Sequence, residues 1–266
     1  MPDFVYNLPA STLGLYFALI GVAVIFFGIL VVKPVLRLLM GTGPEFNHTV
    51  NFATSGVSLF YGLLLGLLTV AAYQNSERVK EGILSEATTL GVLYADMSSY
   101  PEPMRSGLKS MMRDYVLFTI YKDWPAHKKG RLLNGGYNRA DAMRRELARF
   151  EPLSPREQII HAEVISSFQQ FSEARQRRLT GVVTEIPNVL WYAVLMGAGI
   201  NILLIVILKM RLIQHFVLGT ITAFFLGVIL FVIVSLDQPL RGKDGLEPEP
   251  LHLLWERAMV WDEPLT

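Results

Sequence analysis

The sequence contains no cysteine among its 266 residues. This absence excludes disulfide bonds, metal sites built on thiolates and catalysis by a cysteine nucleophile. A strong charge of either sign is also missing, since 24 Lys and Arg stand against 23 Asp and Glu. Because a nucleic-acid-binding surface needs an excess of positive charge, we expect no nucleic-acid partner.

Four long stretches lack charge altogether, and they are the most informative feature of the chain. None contains Asp, Glu, Lys, Arg or His, and they cover residues 12–32, 49–73, 188–208 and 216–236. A helix of about 20 apolar residues crosses the hydrocarbon core of a bilayer, and a buried soluble helix rarely stays uncharged over that length. The sequence therefore predicts a multi-pass membrane protein whose first partner is the lipid bilayer.

Most of the charged residues lie between the second and third stretches. This region shows helical apolar spacing and no strand-like alternation, so it predicts a helical soluble insert. The predicted fold is an all-α membrane protein with four transmembrane helices in two pairs and the insert between spans two and three. The predicted segments are a first helix pair (1–75), the insert (76–186), a second pair (187–237) and an irregular C-terminal tail (238–266) with a short helix near 251–259.

Several helix boundaries inside the insert can be predicted from local signals. No proline follows the second span before Pro101, so that span is expected to run on as a long amphipathic helix. Gly135 and Gly136 predict a loop over 127–138, after which Asn138 caps a helix. Ser154, with proline and glutamate close behind it, is a strong N-terminal signal for the next helix.

The chain carries no recognisable catalytic constellation. Its five histidines are scattered, and none forms a metal-ligand spacing with a carboxylate or a second histidine on one helix face. Phosphate-binding glycine loops and nucleophile elbows are missing as well. We therefore expect no enzyme activity, no metal site and no cofactor.

The lack of charge inside the spans also bears on transport. Ion-coupled transporters commonly use an intramembrane carboxylate, whereas a passive pore needs only apolar and hydroxyl side chains along its wall. The second span carries two stripes with a four-residue repeat. The first has small residues and predicts helix packing: Ser58, Gly62 and Gly66. The second is the candidate pore lining: Tyr61, Leu65 and Thr69.

The end of the fourth span carries a turn signal at Asp237 and Pro239. We interpret these residues as a structural turn at the membrane interface. An alternative interpretation is a clasp that ties the tail to the insert or to a neighbouring subunit.

Basic residues near the span ends do not decide the orientation. The short loops carry Lys33, Arg37, Lys209 and Arg211. The insert and tail carry Arg78, Lys80, Arg175, Arg177, Arg178, Arg241 and Lys243 close to span ends. Because long loops count less in the positive-inside rule, the two sides are nearly balanced.

Short motifs follow one another along nearly the whole chain. The order is Tyr61-Gly62-Leu63-Leu64-Leu65-Gly66, Glu86-Ala87, Pro101-Glu102-Pro103, Tyr115, Asp123-Trp124-Pro125, Arg177-Arg178-Leu179, Ile186-Pro187, Leu190-Trp191 and Leu236-Asp237-Gln238-Pro239. This pattern resembles the bestrophin-like family of bacterial membrane proteins, which is distantly related to bestrophin anion channels.

The resemblance implies a homopentameric anion channel in a bacterial inner membrane, with the insert and both termini in the cytoplasm. In bestrophins the second membrane helix lines a narrow apolar neck, which by position corresponds to Tyr61, Leu65 and Thr69. Asp237 and Pro239 match the turn after the last span. The helix here is richer in Gly and Leu than bestrophin necks, and the calcium-binding acidic cluster of animal bestrophins has no clear counterpart.

The sequence therefore predicts an oligomeric passive ion channel, permeable to small inorganic ions and favouring anions, with the second span lining the pore. The partner of the chain is then a second copy of itself. Two alternatives remain open: a non-conducting membrane scaffold whose insert binds a partner, and a sensor that signals through the helices flanking the insert.

Overall fold

The computed structural model describes residues 9–40 and 46–261, and all regular structure in these ranges is helical. The ten α-helices of these ranges are α1 (Ala10–Phe27), α2 (Lys33–Met40), α3 (Phe46–Asp96), α4 (Met104–Phe118), α5 (Trp124–His127), α6 (Asn134–Arg149), α7 (Pro155–Val183), α8 (Asn188–Ile207), α9 (Leu212–Asp237) and α10 (Glu249–Leu254). Short π-helical turns at Gly28–Val32 and Thr119–Asp123 continue α1 into α2 and α4 into α5. The predicted all-α fold class is confirmed.

Four of the described helical segments are long and apolar enough to cross a membrane, as predicted. They are Ser11–Leu36, Phe46–Ser99, Pro155–Ile207 and Leu212–Asp237. The second and third are more than twice as long as a bilayer requires, because each joins a span to a helix of the insert. The chain is a multi-pass membrane protein.

The chain divides into two compact units. Residues 1–75 and 185–237 form the first, here called the membrane unit. Residues 76–184 and 238–266 form the second, here called the insert unit. The predicted division into four consecutive segments stays a prediction.

Close contact between backbones holds the first and last spans of the membrane unit together. A Cβ atom on Gly21 would lie 2.6 Å from the carbonyl oxygen of Ala223, and one on Gly227 would lie 2.6 Å from that of Phe17. Both positions therefore require glycine, and α1 packs more extensively on α9 than on any other helix.

The insert unit has its own hydrophobic core. Helices α4, α6, α7 and α10 contribute fully buried side chains together with the second half of α3 and the short turn after it: Leu90, Leu93, Met97, Leu108, Met112, Tyr115, Met143, Leu147, Phe171 and Leu251. Helix α7 begins as predicted, because the Ser154 hydroxyl accepts a hydrogen bond from the Glu157 amide at 3.2 Å. The Glu157 carboxylate in turn accepts from the Leu153 amide at 2.7 Å.

The start of α6 differs from the prediction. The helix begins at Asn134 and includes both glycines that were expected to form a loop. A Cβ atom would lie 2.2 Å from the Phe118 ring at Gly135 and 2.4 Å from the Asp123 carboxylate at Gly136. These glycines therefore allow α6 to pack closely on its neighbours, which a local turn signal does not reveal.

Candidate functional site

A groove on the membrane unit brings both predicted stripes of α3 together. It has a volume of about 570 Å³ and is open along one side. Its lining from α3 includes all six residues predicted for pore lining and helix packing, which are Ser58, Tyr61, Gly62, Leu65, Gly66 and Thr69. Helices α8 and α9 complete it with Asn201, Thr222, Phe225, Leu226 and Ile229.

The polar side chains of the groove are hydrogen-bonded within the chain. The Ser58 hydroxyl donates to Asn201 Oδ1 at 2.6 Å, and Asn201 Nδ2 donates to the Gly197 carbonyl at 2.9 Å. Thr69 and Thr222 each donate to a carbonyl one turn earlier in their own helix. The groove therefore presents a mostly apolar surface, as a membrane-exposed site requires.

Two of the three predicted pore residues pack inside their own chain. Tyr61 and Leu65 are only 8% and 4% exposed. The Tyr61 hydroxyl donates to the Val194 carbonyl at 3.1 Å, and its ring lies against Gly197, where a Cβ atom would be 2.4 Å away. Thr69 is half-buried at the edge of the groove. The pore-lining role of these residues stays a prediction.

The two glycines of the predicted packing stripe face open space, while Ser58 of the same stripe contacts Asn201 of α8, and the packing role of the stripe stays a prediction. A Cβ atom on Gly62 or Gly66 would meet no described atom within 4 Å. Next to these glycines α3 exposes a third stripe with the same four-residue repeat, formed by Leu59, Leu63 and Leu67. Sequence reasoning did not single out this stripe, because its spacing is the same as that of the other two.

The predicted turn residues make separate contacts. Asp237 Oδ1 accepts a hydrogen bond from the Ile186 amide at 2.7 Å, which ties the end of α9 to the segment before α8. The Pro239 carbonyl accepts from the Leu246 amide at 2.8 Å, within the insert unit. Their functional assignment as a structural turn stays a prediction.

A buried lysine in the membrane unit was missed as a site residue. Lys33 Nζ donates to the Leu208 carbonyl at 2.8 Å and contacts Nδ1 of His215, which is also buried. His215 Nε2 lies 2.9 Å from the Ile205 carbonyl. A lysine at the end of a span usually extends toward the membrane interface, so this contact with a residue 182 positions away could not be expected from local pattern.

The insert unit contains a second polar cluster, here called the buried ionic cluster, around Glu86 and Arg178. These two form an ion pair with fully buried side chains, and the Tyr115 hydroxyl donates to Glu86 Oε1 at 2.5 Å. Arg178 Nη1 lies 3.1 Å from Nδ1 of His127, and its guanidinium lies 5.4 Å from the Trp124 ring. Most of these residues belong to the motifs of the family resemblance, but the sequence did not show that they touch.

Burial sets the protonation states around this cluster. It raises the pKa of the Tyr115 hydroxyl, and the charge of Glu86 adds to the effect, so Tyr115 acts as a neutral donor. Burial, followed by the positive charges of Arg178 and Arg175, lowers the pKa of His127 to about 3. Burial also raises the pKa of the Asp123 carboxyl, against the opposite effect of the two arginines.

Among the described residues, no three His, Asp or Glu side chains are placed to hold a metal ion together. The two sites are therefore an apolar groove on the membrane unit and a buried ionic cluster in the insert unit.

Comparison with solved structures gives the same fold. Two crystal structures of a bacterial bestrophin homologue from Klebsiella pneumoniae align with TM-scores of 0.66 and 0.65 at 9% and 10% identity. Each alignment covers 91% of this chain, with 98% and 97% of the respective homologue chain. A crystal structure described only as a membrane protein aligns with a TM-score of 0.66 at 11% identity, covering 91% of this chain and 97% of the other. At these identities the likeness establishes the fold alone.

Comparison with curated proteins gives no significant match. The Bestrophin-like domain, however, matches residues 17–251, which is most of the sequence. The match agrees with the motif order and with the fold, and the chain therefore belongs to the Bestrophin-like domain family.

Proposed function

We propose that this protein is a passive ion channel formed by several copies of the chain, with a preference for anions and with α3 lining the pore. The preference for anions rests on the relation of the family to bestrophin channels. The observation that carries the proposal is the wide face of α3 that its own chain leaves uncovered.

Among the described residues, this groove of the membrane unit is open to one side, so it does not by itself enclose a path for ions. The open space at Gly62 and Gly66 lets another helix approach the α3 backbone closely. A second copy of the chain would fill that space, and a ring of such contacts would bring several α3 helices around one axis. A pentamer, as the resemblance implies, is the arrangement we propose.

The burial of the α3 side chains indicates which face of this helix lines the proposed pore. A side chain buried against its own chain cannot line a lumen without breaking that packing, and this argues against Tyr61 and Leu65. The exposed stripe of Leu59, Leu63 and Leu67 is available and has the apolar character of a neck that gates by wetting. We therefore favour this stripe over the one predicted from the sequence.

Ion flux through purified protein in liposomes tests both points, with chloride compared to potassium. Leu63→Ala should change the flux or its selectivity, because it widens the proposed neck. Leu65→Ala should mainly destabilise the fold, by about 2–5 kcal/mol for a buried leucine. Leu195→Ala is the matched control, since Leu195 of α8 is 56% exposed and Leu63 is 57% exposed.

Two outcomes of the flux measurement would contradict parts of this proposal. A selectivity change with Leu65→Ala, and none with Leu63→Ala, would return the pore to the stripe of Tyr61, Leu65 and Thr69. Absence of flux from a folded, oligomeric protein would contradict the channel and favour a scaffold or sensor that acts through the insert unit.

We further propose that the insert unit lies in the cytoplasm of a bacterial cell, with the short loops on the other side of the inner membrane. Because the chain has no cysteine, single cysteines can report the orientation directly. An impermeant thiol reagent applied to intact spheroplasts should label Arg211→Cys and leave Lys129→Cys unlabelled until the membrane is opened. Labelling in the reverse order would contradict this orientation.

A further inference from the structure

The insert unit contains a cavity that belongs neither to the groove nor to the proposed pore. It has a volume of about 280 Å³ and lies between α6 and α7. Six of its eight lining residues carry a polar or charged group, and the full lining is Tyr137, Ala140, Asp141, Arg144, Phe168, Ser172, Arg175 and Gln176. This volume is near the lower end of the range for small-molecule sites, so it suits a compact ligand.

Arg175 is the exceptional residue of this lining. Arg175 is only 8% exposed. Its side chain nevertheless makes no hydrogen bond and no ion pair with any described residue. The buried Nε atom is among the few buried polar atoms without a partner. Because leaving a buried charged donor unpaired costs more than the hydrogen bond itself contributes, such a guanidinium indicates a missing partner.

The other charged groups of the lining are already paired. Asp141 accepts from Arg144 at 2.8 Å and also from Arg145. The Ser172 hydroxyl donates to the Phe168 carbonyl at 2.9 Å. Arg175 is therefore the one charged residue of this lining that has no ion-pair or hydrogen-bond partner among the described residues.

The nearest acidic residue behind the cavity does not provide the partner. Asp123 and Arg175 both lie close to Gly136, where a Cβ atom would be 2.4 Å from Asp123 Oδ2 and 3.5 Å from Arg175 Nη2. The two side chains do not reach ion-pair distance, and both carboxylate oxygens of Asp123 are themselves buried without a hydrogen bond. Glu86, the other buried carboxylate nearby, is paired with Arg178.

We propose that this cavity binds a small oxyanion, bearing a carboxylate or phosphate group, through the Arg175 guanidinium. A planar guanidinium donates two parallel hydrogen bonds to either group. The Gln176 amide and the Tyr137 hydroxyl, at the exposed edge of the cavity, supply further donors. The site does not depend on ion conduction, so its test is independent of the proposed channel.

Isothermal titration of the full chain in detergent micelles tests the site, with sodium phosphate and sodium succinate as the two probes. At least one of them should bind saturably at one site per chain. Preference for phosphate or for succinate then identifies which oxyanion the cavity accepts. Arg175→Gln should weaken that binding about tenfold or more, the effect of losing a charge-assisted hydrogen bond.

Because Arg175 is buried, a second variant keeps the test decisive if Arg175→Gln does not fold. Gln176→Glu places a negative charge at an exposed position of the lining and should also weaken anion binding. Gln170→Glu is the matched control, since it makes the same change at an exposed position of α7 outside the cavity. Absence of saturable binding by both probes, or equal binding by Gln176→Glu and wild type, would overturn the proposal.

Discussion

The membrane unit and the insert unit treat buried polar groups differently. In the membrane unit the buried side chains of Asn201, Lys33 and His215 all have hydrogen-bond partners within the chain. In the insert unit the pair of Glu86 and Arg178 is satisfied, but atoms of four nearby residues are buried without a partner: Thr119, Asp123, His127 and Arg175.

The difference follows from the surrounding solvent. A bilayer core contains no water to complete a hydrogen bond, so a membrane-embedded polar group must find its partner in the protein. A domain in water can leave such groups to an ordered water or a bound ligand. An ordered water or a ligand could therefore complete the unpartnered atoms of the insert unit, whereas no described side chain of the membrane unit has a buried polar atom without a partner.

The largest effect is expected at the buried ionic cluster. Arg178→Met leaves the Glu86 carboxylate buried with only the Tyr115 hydroxyl as a partner, which should cost about 3–5 kcal/mol of unfolding free energy. The double variant Glu86→Leu with Arg178→Met removes both charges and should recover a large part of that loss. Thermal unfolding of the purified protein in detergent measures both.

Arg177→Met is the control, because Arg177 is exposed and its contact with Glu173 at 3.5 Å is solvent-screened. It should change the stability by less than about 1 kcal/mol. Equal effects of Arg177→Met and Arg178→Met would show that burial of the ion pair is not what matters.

A smaller effect is expected from pH at His127. Its pKa is about 3 in the folded chain and about 6.5 when unfolded, so the unfolded chain binds the proton more readily between these values. Folding stability should therefore fall as pH decreases from 7 to 5, with this histidine contributing about 2 kcal/mol. The asparagine variant His127→Asn should remove that part of the pH dependence.

His48→Asn is the matched control, because His48 is exposed on the membrane unit. The comparison is made on the difference between each variant and the wild type, which cancels the titration of the carboxylates. A His127→Asn protein with the same pH dependence as the wild type would mean that folding does not lower the pKa of this histidine.

The spans and most insert helices could be predicted because their signals are local. Absence of charge over about 20 residues predicts a span from composition alone. Likewise, Ser154 with Glu157 predicts the start of α7, because the cap is made within four residues. The prediction for the start of α6 was wrong for the opposite reason. Gly135 and Gly136 are needed because Phe118 and Asp123 lie too close for a larger residue.

The sequence could propose stripes along α3 as a candidate site but could not show which of them is buried, and their pore-lining role stays a prediction. The four-residue repeats predicted stripes along the helix, and all six predicted residues do lie along one groove. Which stripe is buried depends on α8, where Gly197 receives the ring of Tyr61. That contact joins positions more than a hundred residues apart, so spacing within α3 cannot reveal it.

Contacts between charged residues far apart in the chain could not be predicted from the sequence either. Glu86 and Arg178 were both part of the recognised motifs, but 92 positions separate them. Nothing in the order of motifs shows that one neutralises the other. His127 likewise has no local signal, because its environment is made by arginines from α7.

The smallest effect is expected in the membrane unit. It tests whether the polar side chains there depend on hydrogen bonds within the chain. Ser58→Ala removes the donor to Asn201 Oδ1 and should cost about 0.6 kcal/mol, the average for interhelical hydrogen bonds in membranes. Ser55→Ala is the control, since the Ser55 hydroxyl donates only to the Asn51 carbonyl of its own helix, at 2.9 Å. A loss several times larger for Ser58→Ala would mean that Asn201, once unpaired, finds no other donor. In that case a second copy of the chain, packed in the groove, would be keeping the Asn201 amide from other hydrogen-bond donors. Ser58→Ala should then also weaken the oligomer, which size-exclusion chromatography measures.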